Sequence, residues 1–297
     1  MAAAMAATLL FPDAVNAAFP GRDGLIAFTR GGGSEPGQIY LVRPDGHGLR
    51  QLTHRRGGAG AAAWSPDGRR IAFGARGRGS LHVYVKRLGG GVRRITHGDG
   101  LFTQPAWSPD GRLIAAVRGH WVGNEQLHYR HSLVVMRADG RRVRTVYAGN
   151  ELSTSSPAWS PDGRSMAFVH TDIGAAGADP NIYLVPAEGG AARLISDIGS
   201  QTDPDWSPDG SLIAYSWASD LGADAIGVIR PDRTGEARLV DDPTVSEGWP
   251  AWAPSGRRLA FSRLGRIWTV AADGTGARRV TDVRAPVSDW DPSWQPR

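Results

Sequence analysis

The chain has 297 residues, a formal net charge of +5 and a pI near 10. It contains no cysteine, which excludes disulfide bonds, thiol catalysis and cysteine-ligated zinc. With 40 Gly and 20 Pro beside 41% hydrophobic residues, the composition is typical of a globular protein built from many short strands and tight turns.

Residues 1–20 precede the repeats and are rich in Ala and Leu. Val15 and Ala17 place small residues where a signal peptidase reads them, although the usual basic segment ahead of the apolar stretch is missing. A disordered apolar tail is the alternative. We expect an export signal that is cleaved after Ala17, and therefore a periplasmic or extracellular protein. No later stretch is long and apolar enough to cross a bilayer.

Residues 21–297 contain repeated copies of one motif, Trp-Ser-Pro-Asp-Gly, and the copies toward the end of the chain match it less well. The tryptophans of these copies stand 42 to 52 residues apart and are Trp64, Trp107, Trp159, Trp206, Trp252 and Trp294. Pro presets φ for a turn, Asp bonds its own backbone, and Gly accepts a positive φ. A period of this length, with this motif, predicts repeated four-stranded β units in which the tryptophans pack between neighbouring units.

Each unit has a strand ending in Trp, a strand of the Ile-Ala-Phe type, a third strand rich in Ile, Val and Tyr, and a short fourth strand that bears Arg. The first unit lacks its Trp strand, and the last Trp strand, at Trp294, lacks partners. These two parts complete each other. We therefore predict an all-β, six-bladed β-propeller over residues 21–297, a single domain that is closed by pairing of the C-terminal inner strand with the N-terminal strands.

Connections between units, and between second and third strands, vary in length and chemistry, whereas the other turns are monotonous. Because variable loops on a rigid scaffold are where binding usually resides, we call this side the variable-loop face and expect the site there. The residues just before each inner strand are predicted to ring the channel mouth; the candidates for partner contact are Gln104, Ser156, Asp203, Trp249, Trp290 and Asp291. Their mixture of acidic and aromatic side chains suits a peptide segment or a sugar, while simple capping of strand ends by the polar members is the alternative.

One loop contains histidines that are candidates for a divalent metal, His120, His128 and His131, with Glu125 nearby. Their spacing matches no established site, so a solvated loop is the favoured interpretation and we assign no cofactor. The arginines are spread over every unit and no aromatic stacking platform accompanies them, so we expect no nucleic-acid partner.

The series Trp-Ser-Pro-Asp-Gly, Ile-Ala-Phe, Ile-Tyr-Leu-Val and Asp-Gly resembles the TolB-type propeller repeat over almost the whole chain. TolB itself carries an additional N-terminal α/β domain, and here we expect the propeller alone. The resemblance implies the propeller fold and a habit of binding other proteins of the cell envelope.

We therefore expect a monomeric, non-catalytic scaffold for a protein or peptide partner. The alternative is a carbohydrate-active enzyme, a metal-dependent lyase or hydrolase acting on acidic sugars, because some similar propellers are polysaccharide lyases. Motifs of the common hydrolases and nucleotide-binding enzymes are missing from the sequence.

Overall fold

The computed structural model describes residues 19, 21–32, 35–77, 79–98, 100–121, 129–149, 154–171, 179–196, 198–218 and 223–297. Within these ranges the chain forms six four-stranded antiparallel sheets, which confirms the predicted six-bladed propeller. No helix in the described ranges is long and apolar enough to span a bilayer. The expected export segment lies outside the described residues.

Every blade has the same order of strands from the channel outward. The inner strands are β4 (Ala59–Trp64), β8 (Leu101–Trp107), β12 (Thr154–Trp159), β16 (Gln201–Trp206), β20 (Glu247–Trp252) and β24 (Val287–Pro296). The second strands are β1 (Asp23–Gly32), β5 (Arg70–Arg76), β9 (Leu113–Trp121), β13 (Ser165–Thr171), β17 (Ile213–Trp217) and β21 (Arg258–Arg263). The third strands are β2 (Glu35–Val42), β6 (Leu81–Arg87), β10 (Tyr129–Arg137), β14 (Pro180–Pro186), β18 (Ala225–Ile229) and β22 (Arg266–Ala271). The short outer strands are β3 (Arg50–Gln51), β7 (Val92–Arg94), β11 (Arg144–Ala148), β15 (Arg193–Ser196), β19 (Ala237–Val240) and β23 (Arg278–Arg279).

The two ends of the chain share one blade, as predicted. Strand β24 pairs antiparallel with β1, with Ile26 opposite Trp294 and Asp23 opposite Pro296. We number this sheet, β24-β1-β2-β3, as blade 1, and the sheets that begin with β4, β8, β12, β16 and β20 as blades 2 to 6. The ring is therefore closed by strand pairing between the two ends of the chain.

The apolar core is divided into clusters that lie between adjacent blades. Between blades 1 and 2, for example, Ile39 and Leu41 pack with Trp64 and Phe73. The indole N–H of Trp159 reaches back to the Ala106 carbonyl at 3.1 Å, which joins blade 4 to blade 3. The repeated tryptophans thus pack between blades, as their recurrence at one position in the sequence predicts.

The Ser-Pro-Asp-Gly motifs form the turns that join inner strands to second strands. In blade 3, Ser108 Oγ donates to Asp110 Oδ1 at 2.6 Å and accepts from the Leu113 N–H at 2.9 Å. The Arg112 N–H donates to the same carboxylate oxygen at 3.0 Å, and Gly111 has a φ of 68°. Each residue of the motif therefore has a separate role in reversing the chain.

A buried ion pair strengthens the closure of the ring. Arg30 on β1 donates to both carboxylate oxygens of Asp289 on β24, at 2.6 and 2.8 Å. Asp289 is 0% exposed, and the Arg30 guanidinium also stacks over Tyr40 at 5.0 Å from the ring centroid. Removing one partner of such a pair leaves an uncompensated charge inside the protein.

We expect Arg30→Ala to lower the free energy of unfolding by about 3–5 kcal/mol, because it leaves the Asp289 carboxylate buried without its partner. Urea unfolding followed by circular dichroism measures this loss. Removing both charges, in Arg30→Ala with Asp289→Ala, is expected to recover part of it.

The matched control is Arg141→Ala, which breaks an exposed pair with Asp139 whose atoms lie 4.0 Å apart. Its expected cost is below about 0.5 kcal/mol. If Arg30→Ala and Arg141→Ala lower the free energy of unfolding equally, the buried pair of Arg30 with Asp289 stabilises the fold no more than an exposed pair does.

Candidate functional site

The inner strands surround a central cavity of about 620 Å³. This volume falls within the roughly 300–1,000 Å³ of typical ligand pockets. All six candidates for partner contact line this cavity; they are Gln104, Ser156, Asp203, Trp249, Trp290 and Asp291. The structure therefore brings the whole predicted set to one channel. Their role in partner binding stays a prediction.

The position of these residues along the chain differs from the expectation. They lie inside the inner strands, and not just before them, because each inner strand starts earlier than the sequence suggests and contains a bulge. The residue at the bulge, three before the repeated Trp, has a φ between 49° and 56° in every blade; these residues are Ala61, Gln104, Ser156, Asp203, Trp249 and Asp291. Left-handed backbone at a residue other than Gly costs about 1–2 kcal/mol, so the ring carries strain at the candidate site.

Five of the six bulge residues are followed by Pro, and these prolines also line the channel. The free edge of each inner strand faces the channel. Pro has no N–H and is tolerated at such an edge. The bulges therefore interrupt the row of backbone donors that an unprotected strand edge would present.

Polar bulge residues are linked from blade to blade by hydrogen bonds. The Ser156 N–H donates to Gln104 Oε1 at 3.1 Å, and Ser156 Oγ donates to Asp203 Oδ1 at 3.2 Å. Thr202 Oγ1 and Ser216 Oγ donate to Asp203 Oδ2 at 2.9 and 3.3 Å. Asp203 is therefore held by three hydroxyl groups.

Three carboxylates lie on the channel wall, Asp203 and Asp205 in blade 5 and Asp291 in blade 1, the two blades that flank blade 6. Burial raises the pKa of Asp203, against the hydrogen bonds that it accepts. Burial, together with the charge of Asp203, raises the pKa of Asp291 from 3.8 to about 7, and the Ala61 N–H opposes that rise only in part. Burial likewise raises the pKa of Asp205 to about 7, although the Trp252 N–H donates to its Oδ2 at 2.6 Å.

Asp205 is a channel residue that the sequence analysis missed. It stands directly before the repeated Trp, where the other inner strands have Ala or Ser. The sequence signal for Asp205 was this departure from Ala or Ser at the position before the repeated Trp. The repeated motif contains only the positions that recur, so it does not indicate Asp205.

The two aromatic candidates differ in their surroundings. Trp249 is 40% exposed, and its backbone N–H donates to Ser216 Oγ at 2.9 Å. Trp290 instead packs on its own blade: a Cβ placed on Gly31 or Gly37 would lie 3.2 or 3.7 Å from its ring. Trp249 is therefore the aromatic side chain that is free to contact a partner, and Trp290 is mainly a packing residue.

The histidine candidates for a metal do not converge. In the pairing of β9 with β10, His120 is opposite Arg130, while His131 is opposite Gly119. Since neighbouring residues on a strand point to opposite faces, His120 and His131 lie on opposite faces of blade 3. His128 lies outside the described residues. Among the residues that are described, no three His, Cys, Asp or Glu side chains form a group that would hold a metal ion.

Six four-stranded blades around an open, acidic channel define the molecule as a six-bladed β-propeller. A sequence profile of the TolB beta propeller domain, PD40, matches residues 116–297, and the chain belongs to this family. The profile of the lipoprotein LpqB beta-propeller domain matches residues 40–140.

Curated relatives are similar over part of the chain. An uncharacterized protein of Agrobacterium fabrum is 32% identical over 211 residues, which cover 56% of this chain and 70% of that protein. The Tol-Pal system protein TolB of Alcanivorax borkumensis is 38% identical over 100 residues, 31% of this chain and 22% of TolB. The matched region thus spans about a fifth of that TolB.

Solved structures show the same fold at low sequence identity. TolB from Acinetobacter baumannii superposes with a TM-score of 0.76 at 20% identity, over 92% of this chain and 67% of that one. An oligogalacturonate lyase in complex with manganese superposes with a TM-score of 0.61 at 15% identity, over 92% of this chain and 80% of the lyase. At these identities the likeness is one of fold.

The raised pKa of Asp291 predicts a pH-dependent stability. Unfolded Asp ionises near pH 3.8, while the folded carboxyl stays protonated to about pH 7, so the free energy of unfolding falls as pH rises between these values. Asn accepts the Ala61 N–H and tolerates the positive φ without ionising. We expect Asp291→Asn to be more stable than the parent by up to about 4 kcal/mol at pH 8, and nearly equal to it near pH 4, in urea titrations.

The control is Asp162→Asn in the blade 4 turn, for which the change in stability at pH 8 is expected to have the opposite sign. Burial would raise the pKa of Asp162, but hydrogen bonds from Ser160 Oγ and the Arg164 N–H outweigh burial and lower it. This variant is expected to lose stability at pH 8 and to match the parent only at strongly acidic pH. A gain that is the same at pH 4 and pH 8 for Asp291→Asn would contradict the assigned ionisation.

Proposed function

We propose that this propeller is a non-catalytic scaffold that binds an extended segment of a protein or peptide of the cell envelope on its variable-loop face. Membership of the TolB propeller family supports protein binding in general. The nature of the segment and its place on the propeller are argued below from the residues around the channel.

The observation that carries the proposal is a set of exposed apolar side chains on this face, one of which, Trp249, lines the channel. Trp249 is 40% exposed, Ile198 is 52% exposed, and Leu264 is 60% exposed. Ile198 lies in the connection that enters blade 5, and Leu264 lies in the turn between β21 and β22. Large exposed apolar groups beside a concave polar site are typical of binding surfaces.

The bulged inner strands favour recognition through side chains. Added β-strands bind through a continuous row of backbone donors and acceptors. In this channel Pro follows the bulge residue in five blades, and the Trp252 N–H is already bonded to Asp205. A partner segment is therefore expected to place its side chains in the channel, with its apolar residues against Trp249.

Selection of random peptides displayed on phage, against the purified propeller, tests this function without a known partner. We expect selected peptides to bind with micromolar affinity, and Trp249→Asn to weaken that binding about tenfold by removing the exposed aromatic contact. Asn is chosen because it tolerates the φ of 54° at this position. Fluorescence anisotropy of labelled peptides measures the affinity.

The matched control is Val143→Asn, since Val143 is 42% exposed but precedes an outer strand, away from the channel. It is expected to leave binding unchanged. Failure to select any peptide, or selected peptides that bind equally to Trp249→Asn, would contradict the proposal. Unsaturated uronate released from polygalacturonate in the presence of manganese, detected by ultraviolet absorbance, would overturn its non-catalytic part.

The assignment to the cell envelope rests on the N-terminal segment and on the family. We expect the full chain, expressed in a bacterium, to be recovered from the periplasm or the medium with Ala18 as its first residue, as read by N-terminal sequencing. Replacing Ala17 with Arg is expected to block cleavage, because the peptidase requires a small residue before the cut. Recovery of uncleaved parent protein from the cytoplasm would refute this assignment.

A further inference from the structure

We propose that the bound segment presents an ammonium or guanidinium group to the sector of the channel wall formed by Asp203, Trp249 and Asp291. We call these three residues the acidic sector. The group would be a lysine or arginine side chain, or an N-terminal amine, of the partner. This inference rests on the proposed function and specifies the chemistry of its ligand.

The first argument is the distribution of charge. The chain as a whole is basic, with 34 Lys and Arg against 29 Asp and Glu. Among the described residues that line the central cavity, however, the charged side chains are Asp203, Asp205 and Asp291, and none is Lys, Arg or His. The lining therefore has the opposite sign to the protein, and low-dielectric walls strengthen its attraction for a cation.

The second argument is an unpartnered hydroxyl on the same wall. Thr29 lines the cavity and is 2% exposed, and its Oγ1 has no hydrogen-bond partner in the described part of the chain. Thr29 is opposite Trp290 in the blade 1 pairing, just as Ser216 is opposite Thr202 in blade 5. Ser216 and Thr29 thus occupy equivalent positions beside Asp203 and Asp291.

Asp203 and Asp291 differ in the number of hydrogen bonds that they accept. Three hydroxyl groups donate to Asp203, and Ser216 is one of them. Asp291 has the Ala61 N–H as its stabilising contact, while the hydroxyl of Thr29 is left without a partner. Buried polar groups without partners are rare in folded proteins. A donor-rich cation at Asp291 would supply the hydrogen bonds that its surroundings lack.

The third argument is the position of the aromatic ring. Trp249 belongs to blade 6, which lies between blade 5 with Asp203 and blade 1 with Asp291. An exposed indole flanked by two carboxylates is a suitable surface for a cation, since Trp is the best aromatic partner of ammonium and guanidinium groups. The apolar stem of a lysine or arginine would pack against the same ring.

The geometry favours an organic cation over a metal ion. Asp203 and Asp291 are separated by a whole blade, and no group of three ligating side chains is found in the described ranges. A divalent ion needs several oxygen ligands at about 2–2.6 Å. An ammonium or guanidinium on a flexible stem requires only one carboxylate in contact and a second nearby.

Binding of such a cation should depend on pH. Among the described residues, the titratable side chains that line the cavity are Asp203, Asp205 and Asp291, and the pKa of each is raised, for the last two to about 7. Asp205 and Asp291 are therefore largely protonated at pH 5 and largely ionised at pH 8, so the wall attracts a cation more strongly at pH 8. Affinity is expected to rise between these values, because the charged form of the site is the form that binds.

The test uses n-hexylammonium and n-hexylguanidinium, with n-hexanol as the neutral analogue, titrated into the propeller while the indole N–H resonance of Trp249 is followed by NMR. We expect both cations to shift this resonance with saturation at pH 8, hexanol to bind about tenfold more weakly, and hexylammonium affinity to fall about tenfold at pH 5.

Variants then assign the effect to the acidic sector. Asp203→Asn and Asp291→Asn, which preserve shape and tolerate a positive φ, are each expected to weaken hexylammonium binding about tenfold and to reduce its pH dependence. The matched control Asp162→Asn, in a turn outside the cavity lining, is expected to bind as the parent does. Circular dichroism confirms that each variant is folded.

Equal binding of hexanol and hexylammonium would overturn the inference, as would affinity that is the same at pH 5 and pH 8. Calcium or manganese chloride that shifts the resonance and displaces hexylammonium would overturn it in favour of a metal site. Displayed peptides that require Trp249 but lack a conserved Lys, Arg or free amine would refute this inference alone. Cation binding without any selected peptide would refute the proposed function alone.

Discussion

Closure of the ring is the constraint on which the rest of this structure depends. Each blade buries its apolar surface only against its two neighbours, so a blade without a neighbour would leave one cluster open to water. Pairing of β24 with β1 prevents this by making the first and last parts of the chain one sheet. The buried pair of Arg30 with Asp289 lies on that seam, where a charge without its partner would be costly.

Closure also explains why the channel wall is unusual. Six inner strands turn their free edges toward one axis, and an unprotected edge is a template for further pairing. The bulges at the positive-φ residues, and the prolines that follow five of them, interrupt these edges. The same local geometry brings the bulge side chains to the channel lining. Protection of the strand edges and presentation of the candidate site are therefore two results of one backbone feature.

The sequence predicts the blades well because their signals are local and repeated. Ser108, Asp110 and Gly111 specify a turn within a few residues, and the recurring Trp marks the packing between blades. The bulges were not predicted, because the residues that form them, Ala, Gln, Ser, Asp and Trp, share no side-chain type that indicates a positive φ. His120 and His131 are near in sequence, yet their register sends them to opposite faces. Asp205 was missed because its importance comes from the burial of its carboxyl in the channel wall, which a Trp-centred pattern does not record.

The overall charge of the chain does not predict the charge of the candidate site. The net charge is +5 and the pI is near 10, and the arginines that supply the positive charge lie on outer strands and turns in every blade, which is why the sequence did not predict an anionic partner. The channel has the opposite sign, because Asp203, Asp205 and Asp291 are its charged lining among the described residues. Electrostatic attraction between a site and its ligand is set by the groups nearest to them, since salt screens charges beyond about 8–10 Å. The residues of the channel wall therefore determine the charge of the ligand. The basic residues of the exterior affect only how the protein interacts with other surfaces.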